Sequence, residues 1–362
     1  MDNTENIKIL KRIYNNPRYT QREIALELGY SLGKLNYCCK ELKKKGLLKV
    51  KNSRYIINPK NKLLDELTTQ DEALNEEVKI VERKRTFLIA EIGINHNGSV
   101  LEAKKLIKLA RKHDFDAVKF QKRNLNVCIS EAQKNILRQT PWGYITYLEY
   151  KKKIELNLSQ YKELNDYSKK IGIEMFTSCW DINSLKQMKK FNFNYNKIAS
   201  AMVTNIDLLK AVAKERKKTF ISTGMCSMSD IEKAVKIFKS SKCKFVLMHS
   251  VSLYPCKENL LNLNFIKTLK KKFNCEVGYS GHESSVSPTI SAFFLGADYL
   301  ERHITLDRAK WGTDQAASLA EPGMANLSDT IRSIPITLGN GIKKYLDEEK
   351  KVSKKMRYWE KT

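Results

Sequence analysis

The chain is short of histidine and acid, and it lacks any segment built to enter a membrane. Its 362 residues hold 5 His, and 40 Asp+Glu stand against 66 Lys+Arg. No apolar run approaches the roughly 20 residues of a spanning helix. The opening MetAspAsnThrGluAsnIleLysIleLeu has no signal-peptide pattern. These absences predict a cytoplasmic protein with no membrane partner. The 8 cysteines include no CysXxxXxxCys pair, and only Cys38 and Cys39 are close, which fits reduced thiols. Hydrophobic residues at 42% and charged ones at 29% exclude bulk disorder and leave room for a large domain plus a small one.

The formal charge of +26 raises nucleic acid as a partner, because Lys and Arg neutralise phosphates. Residues 1–60 carry 14 Lys+Arg against 5 Asp+Glu, net +9, leaving +17 on the other 302 residues. Positive charge is therefore about three times denser in that segment. Elsewhere it reads as background in a chain rich in Lys, Asn and Ile.

Residues 1–60 read as a winged helix-turn-helix. Thr20 with Glu23 makes a capping box, Gly29 ends one helix, Ser31 opens the next and Gly46 closes it. LeuLeuLysVal and ArgTyrIleIle then form a two-stranded wing. The segment resembles the winged-helix domain of the MarR class, on TyrThrGlnArgGluIleAla and SerLeuGlyLysLeuAsnTyrCys. The resemblance implies that Ser31, Lys34, Asn36 and Tyr37 face the major groove, with Lys51 and Arg54 near phosphates. A module that only contacts protein is the alternative. Residues 61–85 read as a charged helical linker, with Leu64, Leu67, Leu74, Val78 and Val81 near heptad spacing.

From residue 86 apolar runs alternate with amphipathic stretches. The runs are 86–91, 117–121, 174–178, 195–200, 219–223, 245–250, 276–280 and 299–305, with one insertion at about 124–157. Eight such units predict an α/β fold, a TIM (β/α)8 barrel over 86–340, preceded by the small winged helix and followed by a basic tail at 341–362. No GxGxxG follows the first run, which disfavours a doubly wound sheet. Each run turns polar at its end: Glu91, Lys119 with Gln121, Ser178, Lys197 with Ser200, Ser222, His249, Ser280 with His282, and Glu301 with His303. In a barrel these ends share one face. Lysines with hydroxyls suit a phosphate or a phosphorylated carboxylic acid, and His282 with His303 suits a borderline divalent metal.

The motifs GluIleGlyIleAsnHisAsnGly (91–98), ValLysPheGln (118–121), AsnLysIleAlaSer (196–200), SerThrGlyMet (222–225), TyrSerGlyHisGlu (279–283) and GluArgHisIleThrLeuAsp (301–307) resemble the signatures of the sialic acid synthase family. The resemblance implies condensation of phosphoenolpyruvate with an N-acylated hexosamine such as N-acetylmannosamine, a divalent metal, most often Mn, and a homo-oligomer. It implies metal ligation by His282 and His303. Phosphoenolpyruvate would be held by Lys119, Lys197, Ser178, Ser200, Ser222 and Ser280. The sugar would meet Glu91, Tyr254 and Asp314, while Asn95, Gln121 and His249 are further substrate contacts, and Glu91, Lys119 and Glu301 are the catalytic candidates. Three departures stand out: AlaSerAlaMet (199–202) replaces a GlySerGlyGlu run, Ser252 replaces a frequent Asn, and no C-terminal antifreeze-like domain follows, which would normally lend an Arg to the partner's sugar site. Legionaminic- or pseudaminic-type sugars, 6-phosphorylated sugars, or a transcriptional regulator with the barrel as sugar sensor remain alternatives.

Overall fold

A computed structural model describes residues 6, 8–10, 12, 13, 19–51, 54–57, 85–339 and 342–359. Contacts divide the chain into two compact units, one holding the N-terminal segment and the residues from Leu338, the other spanning Lys84–Thr337. The heptad-like positions from Leu64 to Val81 lie outside the described residues.

In the first unit α1 (Gln21–Leu28) starts at Thr20, whose hydroxyl accepts from the Glu23 amide while the Glu23 carboxylate accepts from the Thr20 amide. Gly29 ends it in the left-handed conformation. α2 (Leu32–Lys44) is capped by Ser31, and β1 (Leu48–Lys51) pairs antiparallel with β2 (Arg54–Ile57), matching Lys51 with Arg54. Leu35, Cys38, Cys39 and Leu42 bury one face of α2 against Ile9, Ile13 and Ile24. Lys34 and Tyr37 lie exposed on α2. Asn36 departs from the groove-facing expectation, because it is half-buried with its Oδ1 enclosed. The segment read as a basic tail contains a helix of its own, Asp347–Met356.

The second unit is a closed barrel of eight parallel strands in sequence order. They are β3 (Phe87–Gly93), β4 (Ala117–Lys122), β7 (Glu174–Cys179), β8 (Tyr195–Ile198), β9 (Lys218–Ser222), β10 (Phe245–His249), β11 (Glu276–Gly281) and β12 (Tyr299–His303). Helices lie between them, from Val100–Lys112 after β3 to Glu321–Leu338 after β12. Strands covered on both faces need apolar side chains throughout, which is why each reads as an apolar run. Alternation then sorts them. Phe87, Phe176, Tyr195, Phe220 and Tyr299 meet ring to ring inside, with centroids 5.3–6.3 Å apart, and plug one end of the barrel. Two or four residues beyond these rings on the same inward faces come Glu91, Ser178, Lys197, Ser222, Glu301 and His303, and β4 and β11 add Lys119 and Ser280.

The insertion after β4 holds two short helices, a hairpin of β5 (Leu137–Thr140) and β6 (Gly143–Thr146), and a helix, Tyr147–Ile154. Tyr150 and Ile154 from that helix pack on Ile94 and Trp311, the latter in the loop after β12. Gly98 allows this approach: its φ is +80°, and a Cβ there would strike the Lys153 carbonyl oxygen.

Candidate active site

At the C-terminal ends of the strands the side chains line a half-open pocket of about 450 Å³, the solvent space at its mouth included. Its floor is an ion-pair chain. Lys119 Nζ lies 2.9 Å from Glu91 Oε2 and 3.3 Å from Glu301 Oε1, and Lys197 Nζ lies 2.8 Å from Glu301 Oε2. Ser280 donates to Glu301 Oε1 at 3.2 Å, and Gln121 donates to Glu91 Oε1 at 2.7 Å. Burial would raise Glu301, yet Lys119 and Lys197 overcome it and hold its carboxyl well below the usual range. Burial opposes the charge on Lys119, but Glu301 and Glu91 outweigh it and keep the ammonium above the ordinary lysine value. Lys197 is pulled down to about 8 by burial, which Glu301 offsets only in part and to which Lys119 adds repulsion.

Gly93 makes the left wall possible. It sits at φ +55° at a bulge between β3 and β4, and a Cβ there would stand 3.1 Å from Glu91 Oε1 and 3.2 Å from Gln121 Nε2. Beside it, on the neighbouring strand, His303 pairs with Glu91, and the His282 and His303 rings lie 5.5 Å apart. His282 Nδ1 is 2.7 Å from the Val251 carbonyl, which can only accept, so Nδ1 carries the hydrogen and Nε2 presents a lone pair. Burial, with the neighbouring His303 charge, depresses His282 to about 3 and keeps it neutral. The Tyr254 hydroxyl donates to that Nε2 at 2.9 Å. The loop carrying His282 is anchored outside the barrel by Arg302, fully buried, which donates to Glu283 Oε1 at 3.0 Å and to Thr289 at 2.9 Å.

His303 Nδ1 is buried with no hydrogen-bond partner, and Asp314 Oδ2 stands 3.6 Å from it. Two close imidazoles suit a borderline divalent ion whose other ligands are water or substrate oxygen, with His303 Nδ1 unpartnered and the Tyr254 hydroxyl occupying His282 Nε2 until an ion replaces it. Among the described residues no third His, Cys, Asp or Glu joins them as a ligand cluster.

Ser200 and Ser222 also line the pocket, and the Gly224 amide donates to Ser200 Oγ at 3.1 Å. The hydroxyls of Ser178, Ser250 and Ser252 and the indole Nε1 of Trp180 are buried there without a partner. Buried polar groups are normally satisfied, so a cluster of unsatisfied ones facing one cavity marks groups kept for a ligand.

Two sequence-derived substrate contacts lie elsewhere. His249 is turned outward, its Nε2 2.6 Å from the Leu261 carbonyl and its ring 5.4 Å from Phe265. Asn95 is a structural clamp, donating to the Ile304 carbonyl at 2.9 Å and to Ser318 at 2.8 Å. Trp180, Ser250 and the apolar wall of Ala199, Ala201 and Met225 were not anticipated. Register carries the missing signal: Met248 pairs with Ser222, so the inward parity of β10 runs through Met248 to Ser250 and excludes His249.

A barrel whose strand ends carry paired Lys and Glu, two imidazoles and unsatisfied hydroxyls is a TIM-barrel enzyme fitted to an anionic substrate. The chain belongs to the NeuB family, whose model matches residues 106–343, and a winged helix-turn-helix DNA-binding model matches residues 6–49. An N,N'-diacetyllegionaminic acid synthase of Campylobacter jejuni is 36% identical over 74% of this chain and 82% of its own length. An N-acetylneuraminate-9-phosphate synthase of Mus musculus is 35% identical over 75% of this chain and 76% of its own. The crystal structure of N-acetylneuraminic acid synthetase from Leptospira borgpetersenii, in complex with citrate, superposes with a TM-score of 0.65 at 31% identity, covering 76% of this chain and 93% of that one. The barrel is thus that of a nonulosonic acid synthase-type transferase. Among the described residues no helix is long and apolar enough to cross a membrane.

Proposed function

We propose that the barrel condenses phosphoenolpyruvate with the open-chain aldehyde of an N-acylated hexosamine, giving a nine-carbon 2-keto sugar acid and phosphate for cell-surface polysaccharide. The buried Lys119–Glu301–Lys197 chain, ringed by unpartnered hydroxyls, is the observation that carries this reading. The two ammonium groups bind the carboxylate and phosphate of phosphoenolpyruvate, and Ser178, Ser200, Ser222 and Ser280 supply hydroxyls around them. His282 and His303 would hold the metal, for which Mn is the candidate. A bound divalent ion supplies a Lewis acid for the aldehyde oxygen. C3 of phosphoenolpyruvate forms the new bond to the aldehyde carbon, and positive charge develops at C2. The Glu91 carboxylate faces that charge and orients the water that adds there before phosphate leaves.

The test is phosphate release from phosphoenolpyruvate with a panel of N-acylated hexosamines and Mn. Release that needs both substrates and is lost with chelator is expected. No release with any sugar, alongside tight DNA binding, would favour the sugar-sensing regulator.

Lys197 also fixes a pH dependence. Its ammonium is the binding-competent form and is lost as pH rises through about 8. KM for phosphoenolpyruvate should be flat below that value and rise about tenfold per unit above it. A KM constant from pH 6 to 10 would remove Lys197 from substrate binding.

The N-terminal unit is a candidate DNA reader, favoured by its winged helix-turn-helix match and by the exposed Lys34 and Tyr37 on α2. The cytoplasm suits the whole chain, whose 8 cysteines are all free.

A further inference from the structure

A second buried ion pair lies behind the pocket wall, on the outer face of the barrel, and neither member lines the pocket. Glu283 and Arg302 are both fully buried, with the guanidinium Nη1 3.0 Å from Glu283 Oε1. Arg302 stands between Glu301 and His303 on β12, and Glu283 directly follows His282 after β11. The pair is held from both ends. Tyr279 donates to Glu283 Oε2 at 2.8 Å, and Thr289 donates to Oε1 at 2.9 Å. Arg302 donates to the Ser285 carbonyl at 2.7 Å, to Thr289 at 2.9 Å and to the carbonyl of Glu283 itself. Gly281 makes room for the carboxylate, since a Cβ there would stand 2.6 Å from Glu283 Oε2.

Stability does not account for such a pair. Taking two charges out of water offsets most of their attraction, and apolar side chains of similar volume often serve as well or better. What the pair supplies is a fixed relation between two segments. His282 is tied by its Nδ1 to the Val251 carbonyl, by its Nε2 to the Tyr254 hydroxyl and by its own carbonyl to the Cys256 amide. All three ties lead to the loop after β10. The Glu283–Arg302 contact is the side-chain tie to the strand that carries His303.

We infer that Glu283 and Arg302 are positioning residues that set the spacing of the His282 and His303 imidazoles for a divalent ion. Neither touches the ion. The guanidinium grips both the carboxylate and the carbonyl of Glu283, so it fixes the backbone one residue past His282 from a point one residue before His303. Its strand is in register with Gly281 on one side and Ala90 on the other, which leaves the guanidinium little room to shift. Groups that orient a metal-binding His from behind contribute about 10–100-fold to metal affinity. The inference rests on the reading of His282 and His303 as metal ligands.

The experiment titrates Mn into the full chain without substrate, read by the electron paramagnetic resonance of the free ion, alongside thermal unfolding. The double variant Glu283→Met/Arg302→Met removes both charges and keeps the volume. Its Tm should stay within a few degrees of native, while its Kd for Mn rises about tenfold or more. At saturating Mn its kcat should fall, and KM for phosphoenolpyruvate should hold within about twofold, because Lys119 and Lys197 are untouched. Tyr279→Phe takes one hydrogen bond from Glu283, spares the ion pair and should raise the Kd about fivefold. It decides the question alone if the double variant does not fold. Mn affinity within about twofold of native in the folded variants overturns the positioning role and leaves the metal reading standing. A native chain that binds no Mn overturns both.

Discussion

Glu301→Gln should lower kcat/KM by about 10³-fold, the scale on which a preorganised electrostatic contact acts. Glu301 touches both lysines, at 3.3 Å from Lys119 and 2.8 Å from Lys197. Lys119 keeps Glu91 when that charge is removed, whereas among the described residues Lys197 keeps nothing of opposite sign within bonding distance. Glu301 is also what opposes the effect of burial on Lys197, so its loss drives that amine further below 8. At neutral pH the variant then presents one ammonium where the native protein presents two. KM for phosphoenolpyruvate should therefore fall as pH drops from 8 to 6, a slope the native protein lacks in that range. Breaking a buried pair also costs about 3 kcal/mol, which thermal unfolding of the barrel would register. Activity within tenfold of native, or a KM without that slope, would show that Glu301 only fills space.

Legibility in the sequence followed from what each position has to satisfy. All eight barrel strands were readable because strands buried on both faces must be apolar until they reach the ligand end. Lys119, Lys197, Glu301 and Ser280 were readable because buried charge and hydroxyl at such ends are hard to explain as packing. His249 and Asn95 misled for the same reason: both are polar and both sit at strand ends, but the choice between the two faces depends on register. His249 pairs with Tyr279, which points out of the barrel towards Glu283, so both belong to the outer face. Asn95 serves carbonyl and hydroxyl groups more than 200 residues away, a partnership no local pattern reveals. The insertion was visible only as extra length. Its contribution depends on Trp311, contributed by the opposite end of the barrel sequence, which receives Tyr150 at 4.9 Å edge to face.

Glu91→Gln should be nearly silent for the fold and severe for turnover. The native carboxylate meets two donors at once, the Gln121 amide at 2.7 Å on Oε1 and the Lys119 ammonium at 2.9 Å on Oε2. A glutamine has one acceptor oxygen, so its amide nitrogen must confront either another amide nitrogen or an ammonium. The isosteric side chain still fits beside Gly93, where a Cβ would stand 3.1 Å from the Glu91 carboxylate. What is lost is negative charge facing C2 as it becomes cationic, together with the group that orients the attacking water. Losses of 10²–10⁴-fold are typical when such a group is neutralised. kcat should carry most of the loss, because phosphoenolpyruvate retains Lys197 and the serine hydroxyls. Mn affinity, measured by direct titration without substrate, should stay within threefold, since the imidazoles of His282 and His303 hold the ion, the latter pairing with Glu91 on the neighbouring strand. A variant with native kcat would remove Glu91 from the chemistry. One that lost Mn binding as well would make it part of the metal site instead.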